Sequence, residues 1–345
     1  MRAARWMGRR QIELTEIPRP EPRADEALVR VTWVGLCGSD AEEYLHGPVQ
    51  ISGPVTLGHE IVGVVAEAAA DGSGPSVGTP VVVDVVTGCG ACYWCQRHQE
   101  GLCPALSVTG QHVDGGLAEY VVGRADRLIP VPEGMDPRHA ALAEPLSVAV
   151  RAVRKAGPLP GMRVGVVGGG TVGMLTAQVA RAAGAERVVV IEPAQSRRDL
   201  IAEFGCVPVW GASENERAEA IARESPGRGV DVVFECSGRP GMLREATRLV
   251  RRGGTVILLG IIAEDEPLDV LDLVLGEKAV LGSAAHMWDD DVSVAVGLLA
   301  SGAVDVERMI THTFPLDQAE QAFAVLADPS VMTTKLLVEV GADRA

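Results

Sequence analysis

The sequence predicts an α/β protein in two parts: a mostly β region whose loops carry the chemistry, and a doubly wound parallel sheet covered by helices. Three observations predict it. Up to about Pro132 the apolar runs are short, rich in Val and broken by Gly and Pro, as in strands joined by turns. From about Leu146 to Leu281 strand-like runs alternate with helical ones, the pattern of a parallel sheet buried on both faces. A run of glycines lies between the first of those strands and the first helix. A length of 345 residues suits two domains. With 47% hydrophobic but only 3% aromatic residues, Val, Ala, Leu and Ile must fill the cores. Such a composition excludes a disordered chain, a small disulfide scaffold and a fibre.

In the first region Leu28–Val34, Ile61–Ala66, Val81–Val86 and Ala118–Val122 read as strands. In the second, strands are expected at Arg163–Val167, Arg187–Ile191, Val230–Glu235 and Thr255–Leu259. Helices are expected there at Gly173–Ala183, Ser196–Phe204 and Met242–Val250. The tail, from about Asp289, holds two helices, Val292–Ala300 and Leu316–Ala327, and a strand, Lys335–Val340. It is expected to pack back on the first region and make that domain discontinuous.

The balance of 31 basic against 46 acidic residues, a net charge of -15, argues against a nucleic-acid partner. It keeps the protein soluble and is compatible with a cationic small substrate. Met1 to Arg10 is basic but no apolar segment follows, and no apolar run approaches a membrane span. A cytoplasmic protein with no membrane partner is expected.

Five of the seven cysteines lie between Cys37 and Cys103, which in a cytosolic chain reads as metal binding rather than disulfides. Cys89, Cys92 and Cys95 are each separated by two residues, and Cys103 follows. Four thiolates in one loop close a tetrahedral zinc site with no open position, a structural site. An iron–sulfur cluster is the weaker reading, since no second cluster motif appears. His98, within the lobe, reads as a surface residue.

A second constellation is dispersed. Cys37, in Gly35-Leu-Cys-Gly-Ser-Asp40, and His59 and Glu60, in Gly58-His-Glu, each stand beside a glycine that permits close backbone approach. Glu144 lies in Ala143-Glu-Pro-Leu146. One thiolate, one imidazole and one carboxylate make an open zinc site, with water in the fourth position. The loop Gly168-Gly-Gly170-Thr171-Val172-Gly173 follows a strand and opens a helix, the setting in which G-x-G-x-x-G binds a dinucleotide. Gly168 allows the turn, Gly170 the approach of a pyrophosphate and Gly173 close packing of helix on strand. Glu192, about 20 residues on, is placed to accept from a ribose hydroxyl and to repel a 2′-phosphate, which favours NAD over NADP. Arg197 and Arg198 pull the other way but read as an ordinary first helical turn.

Together these motifs, with Glu144-Pro-Leu-Ser-Val-Ala, resemble the zinc-dependent medium-chain alcohol and polyol dehydrogenases, nearest the sorbitol, threonine and 2,3-butanediol branch. The resemblance implies a GroES-like catalytic domain from residues 1–147 and 288–345, with a structural zinc lobe at about 88–104. It implies a Rossmann NAD-binding domain at 148–287 and a homotetramer, or a dimer. Two zinc ions per chain follow, one structural and one catalytic. Cys37 and His59 bind the catalytic ion and Glu60 is the expected third ligand; Glu144 either binds directly or holds the water, with exchange between the two carboxylates. Ser39 matches the hydroxyl that contacts the reacting oxygen. Many members carry a histidine five positions after the zinc cysteine; here that residue is Glu42, which passes a proton outward or binds a substrate amine, with His46 as its alternative. Thr171, Val172, Arg197 and Cys236 join Gly168, Gly170, Gly173 and Glu192 in the NAD site. Ala285 stands where sorbitol-type enzymes tend to have an arginine, and His286 either lines the substrate pocket or packs a loop.

The activity so implied is oxidation of a secondary alcohol of a sugar, aminosugar, cyclitol or polyol to a ketone, with hydride transfer to NAD. Glu42, the acidic balance and the missing arginine together point to an aminated substrate, as in aminoglycoside biosynthesis. A 2,3-butanediol, sorbitol or L-threonine dehydrogenase is the alternative enzyme. An NAD-binding sensor on the same fold is the alternative outside catalysis.

Overall fold

The computed structural model describes residues 1–341 other than Gln50, Ser52, Arg228, Ala263, Trp288 and Asp289. The expected start of the tail, at 288–289, thus lies outside the described residues. The chain divides into two compact units. The first comprises Met1–Glu144, His286–Ala300 and Val306–Ala345; the second comprises Pro145–Ala285 and Ser301–Asp305.

The first unit is built on the eleven-residue strand Glu26–Leu36. Its Ala27, Leu28, Val29, Val31 and Val34 are all fully buried, so β-branched and aliphatic side chains carry this core, as the scarcity of aromatics requires. The strand pairs antiparallel with Tyr120–Arg124, Glu60–Glu67 and the C-terminal strand Lys335–Glu339. The sheet continues outward through Pro80–Val83 to Leu128–Pro130 on one side and through Ile310–Pro315 on the other. The strands Ile310–Pro315 and Lys335–Glu339 thus lie in the first unit's sheet.

Several expected boundaries moved. Val81–Val86 is two strands, Pro80–Val83 and Val86–Thr87. The break is Asp84, whose carboxylate accepts the Val86 N–H at 3.0 Å, a local bond that turns the chain. The strand expected at Ala118–Val122 runs Tyr120–Arg124, and Ala118 makes only an isolated bridge to Ala3. Leu316–Ala327 opens as a 3₁₀ turn, Leu316–Gln318, before the helix Ala319–Ala327. The hairpin Arg2–Gly8 with Gln11–Glu16 was not anticipated, although Gln11 onward alternates polar and apolar residues.

The second unit is a six-stranded parallel sheet. Its order is Val207–Val209, Arg187–Ile191, Arg163–Val167, Val230–Glu235, Val250–Leu258, Ala279–Gly282. Numbered by chain position this is the 3-2-1-4-5-6 order of a Rossmann sheet, which reverses direction between its first and fourth strands. Val167, Val189, Ile191, Val230, Val233 and Val256 form the core with Ile221, Ala246 and Leu249. The strand Val250–Leu258 starts earlier than the expected Thr255, directly at the end of the helix Met242–Leu249.

Candidate active site

Three strand ends bring the first constellation together. Leu36 closes the long strand, opposite Leu336, and Gly35 stands opposite Glu60. Cys37 comes next and is the N-cap of the helix Gly38–His46. One ligand atom from each of Cys37, His59 and Glu60 lies within 4.8 Å of the others. Gly35 leaves room for that carboxylate: a Cβ there would stand 1.8 Å from Glu60 Oε2 and would displace it. Asp40, wholly buried, accepts the Cys37 N–H at 2.9 Å and faces His59 Nδ1 at 3.5 Å. Burial alone would lower the pKa of His59, but the charge of Asp40 at its Nδ1, with Cys37 beside the ring, holds it well above its ordinary value. Thiol, imidazole and carboxylate converging in a buried setting are the donors zinc takes in an open site. The residues present thus suit that ion.

The sequence reading missed Lys335. It is 2% exposed. Its Nζ donates to both oxygens of Glu60, at 2.6 and 2.8 Å, and to the Leu36 carbonyl at 3.0 Å. Burial would lower the lysine pKa; Glu60 and Cys37 outweigh it and keep the group a cation. The signal was a lysine opening an otherwise apolar strand, Lys-Leu-Leu-Val.

Glu144 lies in the first turn of the helix Ala143–Ala156, outside the 4.8 Å set. Its Oε1 is 3.6 Å from Nδ1 of His286, whose Nε2 is 2.8 Å from Asp84 Oδ1. His286 is fully buried between these two carboxylates. Ala285, just before it, has left-handed backbone, φ 47°. Ser39 is half-buried, and its Oγ accepts from Gln111 Nε2 at 3.4 Å. Glu42 and His46 are both exposed on the Gly38–His46 helix. Glu42 is one turn beyond Ser39, whereas His46 ends the helix, roughly 13 Å along the axis from Cys37.

The four lobe cysteines form a second set within 4.8 Å, and none is in a disulfide. Cys92 Sγ is 3.5 Å from Cys95 Sγ and 3.8 Å from Cys103 Sγ, and Cys89 Sγ is 4.0 Å from Cys95 Sγ. Sulfurs about 2.3 Å from a zinc ion form a tetrahedron with edges of about 3.8 Å, so the spacing suits zinc. The N–H groups of Ala91 and Cys92 pull the exposed Cys89 thiol down to about 6. His98 is exposed, in left-handed backbone.

In the second unit, Gly168 follows Arg163–Val167 with φ 95°, and Gly170 is the N-cap of Thr171–Ala182. A Cβ on Gly173 would stand 1.9 Å from the Gly168 carbonyl; one on Gly170 would meet nothing within 4 Å. So Gly173 serves packing, and Gly170 leaves open the cradle at the helix N-terminus. Thr171 and Val172 form the first turn of that helix. Buried Glu192 accepts from the N–H of Gly169 and of Ala194, both at 2.8 Å, and thereby ties the glycine loop to the next strand's end. Arg198 donates to the carbonyls of Glu192 and Pro193, while Arg197 is half-buried. Cys236 follows Val230–Glu235, and its N–H bonds the Val167 carbonyl at 2.9 Å. The glycine loop and Cys236 thus flank the point where the strand order reverses, the usual place for a ligand in such sheets.

Two family profiles match the chain: "Alcohol dehydrogenase GroES-like domain" over residues 23–133 and "Zinc-binding dehydrogenase" over 171–301. The chain is 34% identical to the 2-dehydro-3-deoxy-L-galactonate 5-dehydrogenase of Pseudoalteromonas atlantica, over 100% of both proteins. The chain belongs to the zinc-dependent medium-chain alcohol and polyol dehydrogenases. This dehydrogenase is also 34% identical to the L-threonine 3-dehydrogenase of Pyrococcus furiosus, over 91% of each chain. Among solved structures it resembles a zinc-binding dehydrogenase of Sinorhizobium meliloti bound to NADP. That match has a TM-score of 0.91 at 35% identity and covers 98% of this chain and 99% of the other. The dehydrogenase is an enzyme acting on CH–OH groups with a nicotinamide cofactor. No helix among its described residues is long and apolar enough to cross a membrane.

Proposed function

We propose that this dehydrogenase oxidises a secondary alcohol of a neutral or aminated sugar, cyclitol or polyol to a ketone, using NAD and a zinc ion held by Cys37, His59 and a carboxylate. The observation that carries the substrate class is Lys335. The cation at the metal set is buried and engaged by Glu60, so it is not offered to a substrate carboxylate. The acidic, exposed Glu42 one turn from Ser39 favours an amine on the substrate. The second reading, an acid such as L-threonine or a sugar acid, draws on the substrates named for the two relatives above.

When bound, zinc supplies Lewis acidity to the alcohol oxygen and NAD accepts the hydride. The chain's own residues do the rest. Asp40 orients His59, and Lys335 neutralises Glu60. Ser39 Oγ would accept the hydroxyl proton as it releases its own toward Glu42, whose carboxylate would take that proton and pass it to solvent; His46 lies too far along the helix for that step. The cysteine lobe holds the second zinc and stiffens a loop with few apolar residues. Gly170, Thr171 and Val172 receive the pyrophosphate at the helix N-terminus, with Arg197 and Cys236 at the rim. Glu192 favours NAD by placing a carboxylate where a 2′-phosphate would go, although the Sinorhizobium relative is bound to NADP. We further propose a cytoplasmic homo-oligomer, a tetramer or dimer.

The test is reduction of NAD and NADP by zinc-replete enzyme across aminoglycosides, amino-cyclitols, butanediol, sorbitol, myo-inositol, L-threonine and sugar acids. Turnover with aminated or neutral polyols and NAD is the expected result. Turnover confined to substrates bearing a carboxylate overturns the substrate class, and a preference for NADP overturns the role given to Glu192.

A further inference from the structure

We propose that His286, braced by Asp84, is the positioning residue for Glu144: it holds that carboxylate at the edge of the Cys37–His59–Glu60 set in the orientation metal binding uses. This rests on the open-metal-site reading above and deepens it.

Groups that ligate a metal are oriented by outer partners. His59 has Asp40 at its Nδ1 and Glu60 has Lys335 on both oxygens. For Glu144 the facing group is His286, whose Nδ1 stands 3.6 Å from Glu144 Oε1. That Nδ1 is buried and has no hydrogen-bond partner among the described residues. An imidazole nitrogen left so costs free energy unless it serves a neighbour, and the carboxylate is the neighbour it faces.

The ring is fixed from its far side. Nε2 is 2.8 Å from Asp84 Oδ1, and the same oxygen accepts the Val86 N–H at 3.0 Å. Arg127 NH1 lies 3.9 Å from the other oxygen, Oδ2. Asp84 therefore cannot follow the ring if the ring turns. The neighbouring Met287 N–H is tied to buried Asp291 at 2.8 Å, which anchors the backbone of the loop. The ring therefore stands between two carboxylates, Asp84 Oδ1 at 2.8 Å from Nε2 and Glu144 Oε1 at 3.6 Å from Nδ1. A histidine that merely packs a loop has no need of this alignment.

The experiment follows metal rather than turnover alone. Holoenzyme is mixed with the chromogenic chelator 4-(2-pyridylazo)resorcinol and zinc release is timed, for wild type, His286→Leu, His286→Gln and Asp84→Asn. In wild type, two equivalents should be released in separate phases. The expected result for His286→Leu is that one phase quickens about 10- to 100-fold while the other is unchanged. Asp84→Asn moves the same phase by less, and His286→Gln, which keeps a donor, restores most of it. Cobalt-substituted His286→Leu shows shifted visible absorption bands, which a purely structural role leaves alone. Wild-type release and unshifted bands in folded His286→Leu overturn the proposal. If that variant does not fold, His286→Gln and Asp84→Asn decide it by the same two readouts. If wild type itself holds only the cysteine-lobe equivalent, the open-site reading fails first and the proposal falls with it.

Discussion

Lys335 and Glu60 are each costly to bury alone, and each makes the other tolerable. Lys335→Met therefore leaves an uncompensated carboxylate, and urea unfolding should show a loss of about 3–5 kcal/mol. The double variant Lys335→Met/Glu60→Gln should recover much of it. A single variant within about 1 kcal/mol of wild type would mean that the pair carries no such burden. Cys89 offers a second test at this scale. With its thiol at about 6 it is largely thiolate at neutral pH, and it is the exposed member of its set. In chelator-stripped protein at pH 7 it should alkylate before the other six cysteines, slow as pH falls below about 6, and be protected by added zinc. Uniform labelling of all the cysteines would contradict this. The ligand candidates were legible because their motifs are local: Cys37, His59 and Glu60 each sit beside or next but one to a glycine, and the lobe cysteines keep a fixed spacing. Lys335, Asp40 and Asp84 were not legible as partners. Lys335 meets Glu60 only through pairing between strands 275 residues apart in the chain, and Asp84 reads as one polar residue within a valine run.

The glycine loop separates two functions that one motif combines. Gly173→Ala drives a methyl into the Gly168 carbonyl, so it should destabilise the fold by roughly 1–3 kcal/mol. Gly170→Ala meets no protein atom; it should leave the melting temperature within a degree or two of wild type, roughly a few tenths of a kcal/mol, yet weaken dinucleotide binding by filling the cradle. Paired thermal melts and fluorescence titrations with NADH distinguish the two, and equal effects in both assays would refute the division. Elements buried on both faces were the easiest to read: Arg163–Val167, Arg187–Ile191 and Val230–Glu235 begin and end where expected, because parallel strands there are continuous Val-rich runs. Elements set by remote pairing were harder. Tyr120–Arg124 takes its limits from Glu26–Arg30 across the sheet, and nothing local to residues 118–124 dictates that register. The Gly38–His46 helix, which carries Ser39 and Glu42, is short and capped by a cysteine, so it lacks the usual start signal of Ser, Thr, Asp or Asn.

On the scale of the molecule, the second unit ends its sheet with the exposed strand Ala279–Gly282. The preceding helix Val270–Leu275 shows Leu271 and Val274 at 69% and 66% exposure. An open sheet edge beside apolar side chains is a surface that a second copy can extend. For the homo-oligomer proposed above, Leu271→Glu combined with Val274→Glu should reduce the mass in light scattering by at least one association step. An unchanged mass would mean that this edge joins no copies. The two-part architecture was legible from the change of pattern near residue 146, while the brief return of Ser301–Asp305 to the second unit was not; it depends on Gln178, whose side chain accepts from the Asp305 N–H and donates to its carbonyl. The contact between Glu144 and His286 has a modular meaning as well. Glu144 is the last residue before the chain leaves the first unit, and His286 is the first after its main return, so the exit and re-entry points are adjacent in space. Where such points adjoin, a domain can be spliced into a host or cut out of it with little strain on the host. A chain in which a short Gly-Ser linker replaces residues 145–285 should therefore still assemble the cysteine lobe and the sheet around Glu26–Leu36.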